Sequence, residues 1–203
     1  MVEHVEILVE EPSMAEALRQ LLPGALGATT WEVYEHRCKD DLLRRLPERL
    51  RAYAGWLGAT TRVVVVVDRD DDACDELKGQ LEAVAHAAGL GTPAKPKRGV
   101  VHVVNRLAIE ALEAWFFGDW EAVCAAYPKV DPNVPQKAPY RDPDNVKGGT
   151  WEALERVLQA AGYHAGGLAK KQAAREIARH MDPTRNRSHS FGVFWRSLQA
   201  MAT

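Results

Sequence analysis

Five consecutive valines, Val63–Val67, run straight into an acid-rich segment that carries Asp68, Asp70, Asp71 and Asp72. β-Branched residues fit a pleated strand, and an unbroken apolar run suits a strand covered on both faces. The run therefore predicts a central strand of a parallel sheet. Its carboxylates then fall at the C-terminal end of that strand, where open α/β sheets place their ligands. Asp68 and Asp70 are two apart, so they point the same way if strand geometry continues through them. Two converging carboxylates suit a hard cation such as Mg²⁺. Asp also favours helix caps and first turns, which is the ordinary expectation for Asp71 and Asp72.

A buried sheet needs cover, and the chain is long enough to supply it. Its 203 residues are 46% hydrophobic and 27% charged, which suits one domain with an appended lobe and argues against disorder. No apolar run reaches the roughly 18 residues of a membrane span. The acidic start, MVEHVEILVEE, enters a strand directly and does not read as a signal peptide. Cys38, Cys74 and Cys124 are scattered and form no CxxC pair, so neither zinc nor a disulfide framework is signalled. A reducing cytoplasm is the simplest compartment. Net charge is −2, but from Lys129 onward there are 12 Lys and Arg against 7 Asp and Glu, and before it 14 against 21. An acidic half beside a basic half suits a metal site next to a phosphate-contacting surface.

Along the chain, 5–9 (VEILV) predicts a first strand ending in Glu10 and Glu11. A helix over MAEALRQLL follows, capped by Ser13 with Glu16 at capping-box spacing and closed by Pro23, Gly24 and Gly27. Residues 29–34 form a short second strand. A second helix begins at Asp40 or Asp41, with Pro47 marking a kink or break. After the valine strand, a third helix spans about 72–88. Residues 100–104 (VVHVV) form a fourth strand, with His102 as a packed side chain rather than a ligand. This alternation predicts right-handed crossovers and a doubly wound sheet over residues 1–127.

Next comes NRLAIEALEAWFFGDW, in which Glu110 and Glu113 are three apart and share a helix face. Among Trp115, Phe116, Phe117 and Trp120 an acid needs a metal or a basic partner, unless it lies on the solvated face. The aromatic stretch suits either core or an oligomer interface. Residues 128–203 read as a proline-rich loop and a helical extension packed on the sheet domain. Thr150 caps one helix. Lys170, Lys171, Arg175, Arg179 and His180 make a basic array on the next, and Phe191, Phe194, Trp195 and Leu198 mark a closing amphipathic helix.

If the first and valine strands are neighbours, Glu10, Asp68 and Asp70 meet in one cleft. Like charges repel there, so a cation is the natural resident, and the three are the candidate catalytic and metal-binding residues. A second metal would draw on Asp72 and Glu113. No Walker A, GxGxxG or GxSxG sequence is present, so nucleotide hydrolysis, dinucleotide binding and hydrolase-elbow chemistry lack their signals.

A glutamate closing the first strand and an Asp-x-Asp closing a later valine-rich strand resemble the Toprim pattern of primases, type IA topoisomerases and overcoming-lysogenization-defect nucleases. More closely, VEEPSM, VVVVVDRDDD, AIEALEAWFFGD and the tail around RNRSHSF are similar to the bacterial family called domain of unknown function 4276. That similarity covers nearly the whole chain. The family is regarded as Toprim-like, and one member is the nuclease effector of the PARIS phage-defence system, paired with an ATPase. The resemblance implies an α/β, Toprim-like, doubly wound, mainly parallel four-stranded sheet with a C-terminal helical extension. It implies Glu10 as the Toprim glutamate, Asp68 and Asp70 as the aspartate pair, and Glu113 with Trp115 in the family's acidic-tryptophan segment. It also implies Mg²⁺ or Mn²⁺ as cofactor, DNA or RNA as substrate, and a nearby-encoded ATPase of the AAA or ABC type as partner. Two positions depart from the pattern. Many Toprim members have Gly after the glutamate and a second acid four residues beyond it; here Glu11 and Met14 stand there. The close backbone approach that Gly permits is lost, and Glu11 is the substitute for the missing ligand.

Three functions compete on this reading. The first is a Mg²⁺-dependent nuclease, a defence or toxin-type effector. Glu10, Asp68 and Asp70 hold its metal, Glu10 doubles as general base, and Lys170, Lys171 and Arg175 contact phosphates unless they form a plain solvated face. The second is a non-catalytic Toprim-fold protein that binds an ATPase or nucleic acid, favoured by Glu11 and Met14. The third is a phosphatase of the haloacid dehalogenase type, which shares the strand-DxD motif but wants Thr or Val where Asp72 stands.

Overall fold

Both faces of the valine strand are covered, as its composition demands. The computed structural model describes residues 1–202. Four strands, β1 (His4–Val9), β2 (Thr30–Glu35), β3 (Thr61–Asp68) and β4 (Val103–Ala108), form one all-parallel sheet in the order β2-β1-β3-β4. Along β3, Val64 and Val66 join Val5, Ile7, Val9 and Leu18 on one side, while Val63, Val65 and Val67 join Leu42, Leu46, Leu50 and Leu81 on the other. This is the period-two pleat with apolar cover on each face. Each fully buried valine contributes roughly 1.5–3 kcal/mol relative to exposure.

Helix α1 (Pro12–Leu26) lies on the first face, and α2 (Lys39–Ala54) and α3 (Cys74–Ala87) on the second. The chain steps outward from β1 to β2, then returns to the far side of β1 for β3 and β4. The direction of winding therefore reverses between β1 and β3, and the crevice of a doubly wound sheet opens there, at the strands' C-terminal ends.

Beyond β4 come α4 (Glu113–Gly118), α5 (Trp120–Ala126), a loop with short 3₁₀ turns, α6 (Thr150–Ala160), α7 (Lys170–Ala178) and α8 (His189–Ala202). Leu154, Leu158, Ile177, Phe191, Phe194 and Leu198 all enter the same apolar cluster as Ile7 and Val66. Trp115, fully buried, stacks on Phe194 at 4.9 Å between centroids and donates its indole N–H to Ser190 Oγ at 3.0 Å. No helix of the described residues is long and apolar enough to cross a membrane.

Several local expectations give way to tertiary contacts. Helix α1 continues through Pro23 to Leu26, and α2 through Pro47, because Leu22, Leu26, Leu46 and Leu50 around those prolines are buried. Ser13 lies inside α1 with its hydroxyl on the Glu11 carboxylate, and Glu16 pairs with Arg175 and Arg19 instead of closing a capping box. Thr150 is likewise inside α6, whose cap is Gly149 at φ 83. The fourth strand is displaced towards the C-terminus, starting at Val103. Val100 pairs with Lys97 in an isolated bridge, and His102 accepts the Gly91 N–H on Nδ1 at 3.0 Å.

Candidate functional site

Because β1 and β3 are neighbours, Glu10 and Asp68 meet at the rim of the crevice. The Asp68 N–H donates to Glu10 Oε2 at 3.1 Å. Asp68 is 4% exposed and its Oδ1 has no hydrogen-bond partner. Burial pushes its pKa well above the ordinary aspartate value, and the charges of Glu10, Glu113, Glu11 and Asp70 push it further. Glu10 is raised from 4.5 to about 7, by burial first. The Asp68 N–H bond and Lys39 oppose that rise, and Asp70 and Glu11 add to it. Glu113 opens α4 at 2% exposure, with Oε2 unpartnered. Burial raises it to about 7 against the pull of Lys170, with Glu11 and Glu152 adding to the rise.

Asp70 reaches the cluster by a route other than the expected one. The strand ends at Asp68, and Asp70 turns into the left-handed region at φ 49, its N–H bound to the Glu110 carbonyl at 2.9 Å. Pleat alternation therefore does not carry Asp70 alongside Asp68. Its carboxylate is held instead by Lys39 Nζ at 2.5 Å, which also binds Asp72 at 2.9 Å and the Arg69 carbonyl at 3.1 Å. Burial pulls the Lys39 pKa down, but the bonds to Asp70 and Asp72 outweigh it and hold the ammonium above its usual range. Neither Asp71 nor Asp72 caps α3, which starts at Cys74 with Asp75 and Glu76 in its first turn.

Glu110 and Glu113 do not share a helix face, because α4 begins only at Glu113. Glu110 sits in the bend before it, half-buried. Burial raises its pKa against the pull of Arg69. Glu11 is the residue before α1, beside Glu10. Met14, where a second acid was expected in the Toprim pattern, is fully buried in the core.

The basic array divides. Lys170 sits 5.0 Å over the Trp151 ring, and its charge reaches Glu113. Arg175 is committed to Glu16 at 2.7 Å, fastening α7 to α1 and holding Glu16 below its usual range. Lys171 is exposed beside that pair, and its charge also acts on Glu16.

The oxygen donors suit a hard cation, and the buried, unpartnered oxygens of Asp68 and Glu113 are what such an ion would satisfy. Among the described residues no three His, Cys, Asp or Glu side chains form a ready-made cage. Lys39 holds the carboxylates of Asp70 and Asp72, so recruiting Asp70 to an ion requires Lys39 to release it.

Reading the sequence missed Lys39 and Glu152, whose Oε2 is also buried without a partner. A signal for Lys39 was present. In an all-parallel sheet every strand-to-helix junction gathers at the same rim, so the segment HRCKDD after β2 belongs beside Glu10.

The model of the family described as Domain of unknown function (DUF4276) matches residues 9–199. The chain belongs to this family. The match takes in every candidate residue of the rim, from Glu10 to Glu152, together with α7 and most of α8. No curated protein and no solved structure matches this DUF4276 chain.

Proposed function

We propose that this DUF4276 protein is a Mg²⁺- or Mn²⁺-dependent nuclease that hydrolyses nucleic acid phosphodiesters, working with an ATPase partner. One observation carries the reading. The two carboxylates at the switch point, Glu10 and Asp68, are buried among further acids, and Asp68 Oδ1 and the nearby Glu113 Oε2 are left unpartnered. Such a site is unfavourable empty and favourable around a cation. Glu10, Asp68 and Asp70 would hold the ion, with Glu113 and Asp72 available for a second. A bound Mg²⁺ supplies Lewis-acid polarisation of a phosphoryl oxygen. Glu10 would also serve as the general base that accepts a proton from an attacking water. Lys170, stacked on Trp151 and acting on Glu113, is placed to meet a phosphate at the rim.

The test is cleavage of DNA and RNA by purified protein in Mg²⁺ or Mn²⁺, with and without any ATPase found encoded beside it. Asp68→Asn should abolish cleavage. If the intact protein cuts nothing under any of these conditions, the proposal is wrong. A second reading, a non-catalytic binding partner, draws support from the grip of Lys39 on Asp70 and from Met14 in the core. It expects ATPase binding and biological effect to survive Asp68→Asn and Asp70→Asn.

A further inference from the structure

Beside the carboxylates, at the open edge of the sheet, lies a groove of about 870 Å³ between β2, the start of α1 and the outer side of α2. Four arginines line it: Arg19, Arg37, Arg45 and Arg49. Three acids, Glu35, Asp41 and Glu48, line it too, but two of them are engaged within the protein. Asp41 accepts from Arg44 at 2.5 Å and Arg45 at 2.9 Å, and Glu35 lies 3.6 Å from Arg19.

Arg19 is spent on Glu16 and Glu35, but Arg45 and Arg49 are anchored in a way that leaves their terminal nitrogens unspent. Arg45 is held to Asp41 through Nε alone. Arg49 is fixed by Nε on the Tyr53 hydroxyl at 3.1 Å and by stacking 4.2 Å from the centre of the Tyr34 ring. The Arg37 guanidinium is exposed with no hydrogen-bond partner among the described residues. Planar guanidinium forks held this way match phosphate oxygens two at a time, and little side-chain freedom is left to lose at Arg49. Arg45 and Arg49 are four apart on α2 and so lie along one face of it.

The groove's lining adjoins the carboxylate rim along the chain. Pro12, in its wall, directly follows Glu10 and Glu11. His36, also in the wall, donates from Nδ1 to the Val9 carbonyl at 2.8 Å, and Arg37 is two residues from Lys39. Because β2 is an edge strand, no further strand closes the outer side.

We propose that this groove, rather than Lys171 and Arg175 on α7, carries the sugar–phosphate backbone of a nucleic acid into the carboxylate site, with Arg37, Arg45 and Arg49 on successive phosphates. The inference rests on the nuclease reading for its ligand but is tested apart from cleavage. Labelled single- and double-stranded DNA and RNA are titrated with the protein in EDTA, and binding is followed by fluorescence anisotropy over a salt series. The wild type should bind, and Arg37→Ala/Arg45→Ala should bind more weakly. On duplex DNA the double variant's slope of log affinity against log salt should be shallower by about 1.8, at about 0.9 for each phosphate no longer neutralised. Arg37→Ala alone, which breaks no hydrogen bond within the protein, should give half that change and guards against a folding defect in the double variant. Unchanged affinity and slope in both variants would overturn the proposal. So would a loss confined to Lys171→Ala, or a wild type that binds no nucleic acid in EDTA. Cleavage lost in Asp68→Asn but intact binding that ignores the groove variants would leave the nuclease reading standing and this one refuted.

Discussion

Glu10 should destabilise the metal-free fold at neutral pH, and Glu10→Gln should expose that cost. Its pKa rises from 4.5 to about 7 on folding, mainly through burial. Below about pH 4.5 the carboxyl is protonated in both folded and unfolded chains, and nothing is lost. As pH climbs from 4.5 to 7 the unfolded chain sheds its proton while the folded chain resists, so stability falls across that window and levels off above it. At about 1.4 kcal/mol for each pH unit between the two values, the loss is about 3 kcal/mol. Gln cannot ionise, yet it keeps an oxygen to accept the Asp68 N–H. In EDTA at pH 8 Glu10→Gln should therefore unfold at a midpoint roughly 6–12 °C higher, at about 2–4 °C per kcal/mol for a chain of this size. At pH 4 the two midpoints should converge. Saturating Mn²⁺ should narrow the pH 8 gap by stabilising the wild type, because a ligand of the folded state raises the midpoint. Thermal unfolding followed by circular dichroism between pH 4 and 8 gives all three numbers. Midpoints that run parallel across the range, or a variant less stable at pH 8, would refute the account of Glu10 as a buried, uncompensated acid.

Two further outcomes follow from the same contacts. Lys39→Met keeps the apolar stem but frees Asp70 and Asp72 from the ammonium that holds them. Mn²⁺ should then raise the unfolding midpoint by more than it does in the wild type, and a smaller rise would show that Lys39 does not compete with the ion. Trp115→Ala removes a fully buried indole stacked on Phe194 and bound to Ser190. It should cost about 3–5 kcal/mol in urea unfolding, whereas a cost under about 1 kcal/mol would mean that the segment after β4 is not core.

Patterns that depend on one strand were legible in the sequence. The valines had to be covered on both sides, and their aspartates had to sit at a ligand-binding rim. The meeting of Glu10 with Asp68 was legible only as a condition, because periodicity says that a strand is buried but not which strand lies beside it. For Asp70 the condition was that the strand continue through it, and the sequence could not show that its left-handed turn is bound to the Glu110 carbonyl, 40 residues on in the chain. Pro23 and Pro47 were read as helix breakers from local propensity, and buried leucines on either side overrode it. Glu110 and Glu113 were read as one helix face because the strand before them was placed several residues too early. The arginine groove escaped notice for a different reason. Six basic residues stand from Arg37 to Arg51, but they alternate with Asp40, Asp41 and Glu48 on what reads as an ordinary charged helix, and only the fold shows which of them share a groove with Arg19.

The face of the sheet bearing Ile7, Val64 and Val66 is closed by residues made long after it. Arg175 reaches back 159 positions to Glu16, and Arg106 meets Ser197, 91 positions away. Ribosomes add about 5–20 residues per second, so roughly 7–25 s separate the emergence of the valine strand from that of Leu198. Throughout that interval α1 alone covers the apolar sheet face, which awaits the aromatic segment and α8 for the rest of its cover. Over the same interval Glu113, whose charge adds to the rise at Asp68, has not yet joined the rim. The rim is thus completed late in synthesis, when the segment after β4 brings Glu113 to carboxylates made long before it.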